Sequence, residues 1–265
     1  MTKLYIVEGL PCSGKSTTSK YVAELLEKSG KDVKYVDEGS GEHPADYEFH
    51  AYITQEQLKK LEENIQIKIR QYSTEKSTGY IVALSECTDN ERELLLPYKI
   101  YDFLPWETEK SLMLERWKQF ADQAAQEDRI YVFNCVFLQN PMCETMMRFN
   151  LSKEESFEYI EQIYNIISPL EPMIIYLKND DVAEQIKTTS KERPGWLDAV
   201  LDYHVNGGFG KSISANGVDG YLKCLEERQN RELEYLKMAE IDSVVIENAH
   251  RNWQQAYVKI ADQIV

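Results

Sequence analysis

The sequence is poor in the features that mark specialised protein classes. Its 265 residues include five cysteines, four histidines, eight prolines and twelve glycines. The cysteines (Cys12, Cys87, Cys135, Cys143, Cys224) are odd in number and form no C-x-x-C pair. They spell neither a disulfide framework nor a zinc ribbon, and a reducing cytoplasm is the expected setting. So little proline and glycine excludes fibrous repeats and low-complexity disorder. No stretch approaches the roughly 18 apolar residues of a membrane span, and Met1–Val7 runs directly into Glu8 and Gly9, which predicts no secretory leader. Basic residues are in deficit, 30 against 45 acidic, for a net charge of −15. A field of that sign repels phosphate backbones and anionic lipid, so neither nucleic acid nor a membrane is expected as a partner. What remains is ordinary for a globular chain, 43% hydrophobic and 28% charged. No internal repeat and no linker divides it, so the reading is a single domain over 1–265.

The hydrophobic pattern alternates between strand and helix. Leu4–Val7 is a short β-rich run ending at glycine, and Lys15–Lys28 carries Tyr21, Val22, Leu25 and Leu26 at helical spacing up to Gly30. Further strands are read at Val33–Asp37, Arg129–Asn134, Met173–Leu177 and Ser243–Glu247, with helices at Thr54–Tyr72 and about Glu107–Glu127. Such alternation predicts an α/β fold, a doubly wound parallel sheet flanked by helices. Two stretches break the pattern. Residues 79–104 read as a hairpin-like insertion, and Pro194–Asn216, with Gly207, Gly208 and Gly210, reads as a loop.

Between the first strand and the first helix lies Gly9-Leu10-Pro11-Cys12-Ser13-Gly14-Lys15-Ser16, a complete G-x-x-x-x-G-K-[ST] phosphate-binding loop, or P-loop. The chemistry requires these types at these places. The glycines let the backbone curl so that its N–H groups face an anion, and the helix N-terminus adds positive potential. Lys15 reaches the β- and γ-phosphates, and Ser16 supplies a hydroxyl oxygen to Mg²⁺. Gly9, Pro11, Cys12, Ser13, Gly14, Lys15, Ser16 and Thr17 are therefore the expected nucleotide contacts. A second GKS at Gly210-Lys211-Ser212 lacks both the upstream glycine and the preceding strand. The guanine-reading pattern N-K-x-D is absent too, its nearest match, Asn216-Gly217-Val218-Asp219, lacking the lysine.

Taken together, KLYIVEGLPCSGKST, the acid-ended edge strand Val36-Asp37-Glu38, YVFNCVFLQNP (131–141) and LEPMIIYLKNDDVAEQI (170–186) with Lys187, Lys191 and Arg193 resemble P-loop kinases of the thymidylate kinase and deoxynucleoside kinase group. The resemblance implies a five-stranded parallel sheet of order 2-3-1-4-5, acceptor contacts at the ends of strands 2 and 3, and a cationic lid after strand 4, here residues 187–216. Three features depart from that pattern. Asn134-Cys135 stands where the family has an acid followed by arginine, Gly39–Asp46 replaces the usual Glu-Pro step, and the insertion at 79–104 is extra.

The implied activity is transfer of the γ-phosphoryl group of ATP, with Mg²⁺, to a hydroxyl or phosphate of a small, nucleoside-like molecule. Glu38, at the carboxyl rim of an edge strand, is the candidate base, with Asp46 as the second choice. Asn134 and Gln139 are candidate acceptor contacts because an amide both donates and accepts. Arg148, after strand 3, and Arg193, in the lid position, are candidate phosphate contacts. His43 reads as a surface or capping histidine, and Trp196 is the tryptophan best placed to stack on a base. A P-loop sulfotransferase and a non-catalytic nucleotide sensor are the other classes such a chain could fill, and a homodimer is compatible with either.

Overall fold

The computed structural model describes residues 1–264. It forms, in chain order, β1 (Leu4–Gly9), β2 (Val33–Val36), β3 (His50–Thr54), β4 (Thr74–Lys76), β5 (Gly79–Ala83), β6 (Ile130–Asn134), β7 (Met173–Lys178) and β8 (Asp242–Glu247). Two compact units result: one is Met1–Glu38 with the chain from Trp117 onward, the other Gly39–Arg116. None of the helices is long and apolar enough to cross a membrane among the described residues.

The first unit is built on an all-parallel sheet of order β2-β6-β1-β7-β8. The labels differ from a simple 2-3-1-4-5 because β3, β4 and β5 intervene in the chain. Counted over the parallel strands alone, the order is second, third, first, fourth, fifth. β1 lies at the centre, with Ile6 opposite Phe133 of β6 and Ile174 of β7. Every residue of β1 and β6 is buried, as expected of strands covered on both faces.

Alternation along the strands assigns the two cores. On one face Tyr5, Val7, Val132 and Ile175 pack against Val22, Ala23 and Leu26 of the helix Lys15–Lys28 and Ala256 and Ile260 of the helix Trp253–Ile264. On the other, Tyr131 and Phe133 meet Phe120 at centroid distances of 5.1 and 4.9 Å, and Trp117 lies 6.2 Å from Phe120. Trp117 and Phe120 belong to the helix Trp106–Gln126.

The second unit has its own core. β3, β5 and β4 form an antiparallel sheet, and Ala51, Ile53, Tyr80 and Val82 pack with Leu58, Ile65, Ile69 and Leu95. The insertion is therefore larger than residues 79–104, beginning at Gly39, because β5 has its partner at 50–54 rather than nearby. The expected single helix over Thr54–Tyr72 is two, Gln55–Leu58 and Glu63–Tyr72, separated where Glu62 turns extended (ψ 147°). The expected hairpin over 79–103 is one strand followed by helical segments. Thr88 and Glu91 form a capping box that starts a helix at Asp89, a pattern that T-x-x-E encodes.

The expected loop Pro194–Asn216 is likewise helical, Trp196–Val205 and Gly208–Ser212. Its glycines serve close approach. A Cβ on Gly207 would lie 2.4 Å from the Met147 carbonyl oxygen, one on Gly208 2.6 Å from that of Arg148, and one on Gly210 2.3 Å from that of Val205.

Phe120→Ala should lower the stability of the first unit by about 3–5 kcal/mol, the usual cost of emptying a buried aromatic site, read by denaturant unfolding. In the second unit, burial depresses the His50 pKa to about 4, with Arg116 adding to the effect. The unfolded chain then binds the extra proton between about pH 6.5 and 4, so stability falls as pH drops through that window. His50→Leu should remove one proton's share of that slope, at most about 1.4 kcal/mol per pH unit, measured by unfolding at stepped pH.

Candidate functional site

The site begins where β1 ends. Gly9 adopts φ 144°, and a Cβ there would lie 2.7 Å from the Leu177 carbonyl oxygen of β7 and 2.8 Å from Ser13 Oγ. The loop closes with the Ser13 N–H donating to the Leu10 carbonyl at 3.2 Å. Gly14 (φ 92°) is the N-cap of the helix Lys15–Lys28, and a Cβ on it would meet the Trp253 ring at 2.4 Å. This helix has no capping side chain and no acid in its first turn. Its leading N–H groups and the positive end of its dipole are thus left for an anion.

Lys15 is buried, and its Nζ donates to the Leu10 carbonyl at 3.1 Å. It lines a cavity of about 360 Å³ together with Pro11, Cys12, Gly14, Ser16 and Thr17. Glu38 and Gln139 open into the same space, and the Gln139 side-chain amide donates to Glu38 Oε1 and, at 3.4 Å, to Cys135 Sγ. From the segment after β7 come Thr189, Arg193 and Trp196. Arg193 ends the helix Val182–Glu192 as its C-cap. The loop thus shares one cavity with Glu38, Gln139 and Arg193.

The remaining candidates lie elsewhere. Asn134, expected against an acceptor, instead joins Ser16 to the end of β2: its Nδ2 donates to Ser16 Oγ at 3.0 Å and to Asp37 Oδ1 at 2.7 Å. Its own Oδ1 is buried without a partner. A hydroxyl, a carboxylate and an orphaned amide oxygen are hard oxygen donors, a set that fits Mg²⁺, which usually takes only one or two protein ligands and otherwise phosphates and water. Among the described residues no cluster of three or more His, Cys, Asp or Glu is placed to hold a metal alone.

Arg148 does not border the cavity. It closes a π-helical turn, Cys143–Arg148, where Nη1 donates to Glu144 Oε2 at 2.6 Å and the guanidinium lies 4.3 Å from the Phe149 ring centroid. Asp46 belongs to the second unit, where it accepts from the Tyr101 hydroxyl and from the Glu48 N–H. His43, in the same unit, is buried and accepts from the Ala45 N–H at Nδ1, a local turn contact rather than a surface position.

Several residues around the cavity have no motif to announce them. Glu8, wholly buried, accepts from the Phe137 and Leu138 N–H groups at 2.8 Å each and from Gln139 N–H at 3.3 Å. Burial, with Glu232 nearby, pushes its pKa up to about 7 against the pull of those amides and Lys15. The only sequence sign is an acid within the apolar run LYIVEG. Arg228, from the helix Gly217–Met238, lines the cavity; it donates to the Gly9 carbonyl at 3.2 Å and pairs with Glu232 at 3.1 Å. The Tyr176 hydroxyl donates to Glu232 Oε2 at 2.6 Å. In the sequence these charges read as an ordinary solvated helix.

Deeper in the cavity His204 and Tyr221 stack at 5.4 Å with a 12° interplanar angle. Burial lowers the His204 pKa to about 4, so the ring is neutral at pH 7, and raises that of Tyr221. His204 Nδ1 and the Tyr221 hydroxyl are buried without partners.

The chain is similar to several known proteins. A family described as chromatin associated protein KTI12 matches residues 2–82, less than half of the chain. No curated protein matches the sequence. Among solved structures, deoxyadenosine kinase from M. mycoides is similar at 14% identity and a TM-score of 0.46, covering 98% of this chain and 98% of its own. Thymidylate kinase from Candida albicans is similar at 13% identity and a TM-score of 0.39, with 98% and 93% covered. Thymidylate kinase from Ehrlichia chaffeensis is similar at 10% identity and a TM-score of 0.41, with 100% and 99% covered. The chain itself has an α/β fold, a five-stranded parallel sheet flanked by helices.

Proposed function

We propose that the chain is an ATP- and Mg²⁺-dependent phosphotransferase acting on a hydroxyl or phosphate of a small molecule, nucleoside- or nucleotide-like. The observation that carries this reading is that one cavity is lined by the phosphate loop with Lys15, by the carboxylate Glu38 and by the guanidinium Arg193. Phosphoryl transfer asks mainly for positioning and charge neutralisation, and these groups supply both. Lys15 and the N–H groups of the loop would hold the β- and γ-phosphates. Arg193, with a planar fork able to engage two oxygens, would neutralise charge on the transferred group. Ser16, Asp37 and Asn134 would hold Mg²⁺, which when bound shields the phosphate oxygens. Glu38, oriented by Gln139, would take the acceptor's proton as its oxygen bonds to the γ-phosphorus and the bond to the β-phosphate oxygen breaks, releasing ADP. The five free cysteines suit the reducing cytoplasm in which we place this activity.

A second reading, a nucleotide-binding protein without turnover, has one observation in its favour: Asn134-Cys135 occupies the place of the acid and arginine found in similar kinases. ADP release on adding candidate nucleosides and sugars separates the two, since a sensor would bind Mg²⁺-ATP and release none.

Lys15→Met should abolish turnover with the fold intact by circular dichroism, and transfer at the parental rate would remove the loop from the mechanism. Glu38→Gln should lower kcat by about 10²–10⁴-fold, the usual contribution of a general base, while leaving ATP affinity close to parental in a binding titration.

A further inference from the structure

The carboxylate of Glu8 holds a turn that the backbone alone would not hold. After β6 the chain passes through Cys135 (φ 60°) and Val136 (φ 83°), two non-glycine residues in the left-handed region, one of them β-branched. Such residues seldom adopt it, and strain of this kind persists only where the surroundings impose it. One end of the turn is tied by the Cys135 N–H to the Val7 carbonyl at 2.9 Å. The other end is tied by the amides of residues 137 to 139, all three donating to the two oxygens of Glu8. The turn then delivers Gln139, whose side chain donates to Glu38. A chain of contacts therefore runs from the last side chain of β1 to the candidate base.

We infer that Glu8 is a positioning residue: as a buried carboxylate it fixes the strained turn after β6 and so aims Gln139 and Glu38 into the cavity beside Lys15. The consequence for catalysis rests on the phosphotransferase reading, whereas the clamp itself does not. Phe137 and Leu138 share Oε1, while Gln139 alone donates to Oε2; a proton or an amide NH₂ at Oε2 would face the Gln139 N–H donor to donor, so the carboxylate is the form that accepts all three. The charged and titratable groups around Glu8 are Lys15 on the helix after the loop, Glu232 and Arg228 on the helix Gly217–Met238, and Tyr176 on β7. Burial and Glu232 raise the Glu8 pKa to about 7, while the amides of the turn and Lys15 pull it down, favouring the charged form that the clamp needs.

The test compares the full chain with Glu8→Gln. Corrected amide hydrogen exchange at Gln139 should be about tenfold or more faster in the variant, while amides of β1 such as Ile6 keep their protection. Binding of a non-hydrolysable ATP analogue should stay within about threefold of parental. Turnover of Mg²⁺-ATP should fall about tenfold or more. Glu8→Asp, which keeps the charge, should recover part of the protection. Unchanged exchange at Gln139, or a loss spread evenly along β1, overturns the proposal.

Should Glu8→Gln not fold, Glu8→Asp supplies the same reading. The side chain shortened by one methylene should speed corrected exchange at Gln139 by about threefold or more relative to Ile6, with binding of the ATP analogue near parental, and unchanged exchange there overturns the clamp. A parent that turns over no ATP with any acceptor, yet whose variants show the exchange pattern, refutes the phosphotransferase reading and leaves the clamp standing.

Discussion

The site is organised by charge held in the protein interior at the carboxyl end of β1. Glu8, Lys15, Arg228 and Glu232 are all buried, two acids against two bases. Each is tied to the main chain or to another member of the group: Glu8 to three amides, Lys15 to Leu10, Arg228 to Gly9 and Glu232. Buried ions are tolerated only when paired and hydrogen-bonded, so removing Arg228 or Glu232 would strand the other. That mutual dependence couples the loop to the turn after β6 and to the helix Gly217–Met238, elements distant in the chain. The phosphate loop is thus one face of a larger polar core.

The parts of this that were legible in the sequence are those written in local pattern. The helix Lys15–Lys28 ends where its apolar spacing and Gly30 place it, and β1, β6 and β7 fall on apolar runs because strands covered on both faces read as near-unbroken hydrophobic stretches. The small sheet of the second unit was not legible. β3 and β5 are joined through residues of helical character, and their pairing, His50 opposite Ala83, is fixed by a core no short window contains. The glycines at 207, 208 and 210 misled for a related reason. Glycine signals either freedom or close approach, and only the carbonyls of Met147, Arg148 and Val205 show that the second applies.

The site divides along the same line. Gly9 to Thr17 form a contiguous motif whose geometry follows from its residue types. Glu38 and Arg193 could be placed because strand ends and the segment after the fourth parallel strand are positional cues. Gln139 was reached in the same way. Asn134 kept its place at a strand end, but its amide turned toward Ser16 and Asp37. Arg148 was drawn to Glu144, four residues earlier on its own turn. Glu8, Arg228 and Glu232 escaped because their partners lie between 4 and 219 residues away, and a charge on a helix looks the same in sequence whether it faces water or an ion.

The pairing of the helix Lys15–Lys28 with the helix Trp253–Ile264 bears on how the chain is made. Tyr21 stacks on Tyr257 at 4.2 Å, and Trp253 covers Gly14. During synthesis, β1 and the helix after it leave the ribosome early, yet β6, β7 and the covering helix follow far behind. Contacts so remote in sequence close slowly, and unpaired strands wait meanwhile with apolar surface uncovered. Gly39–Arg116, contiguous and with a core of its own, has no such delay. The order of synthesis and the order of contact closure therefore run differently for the two units.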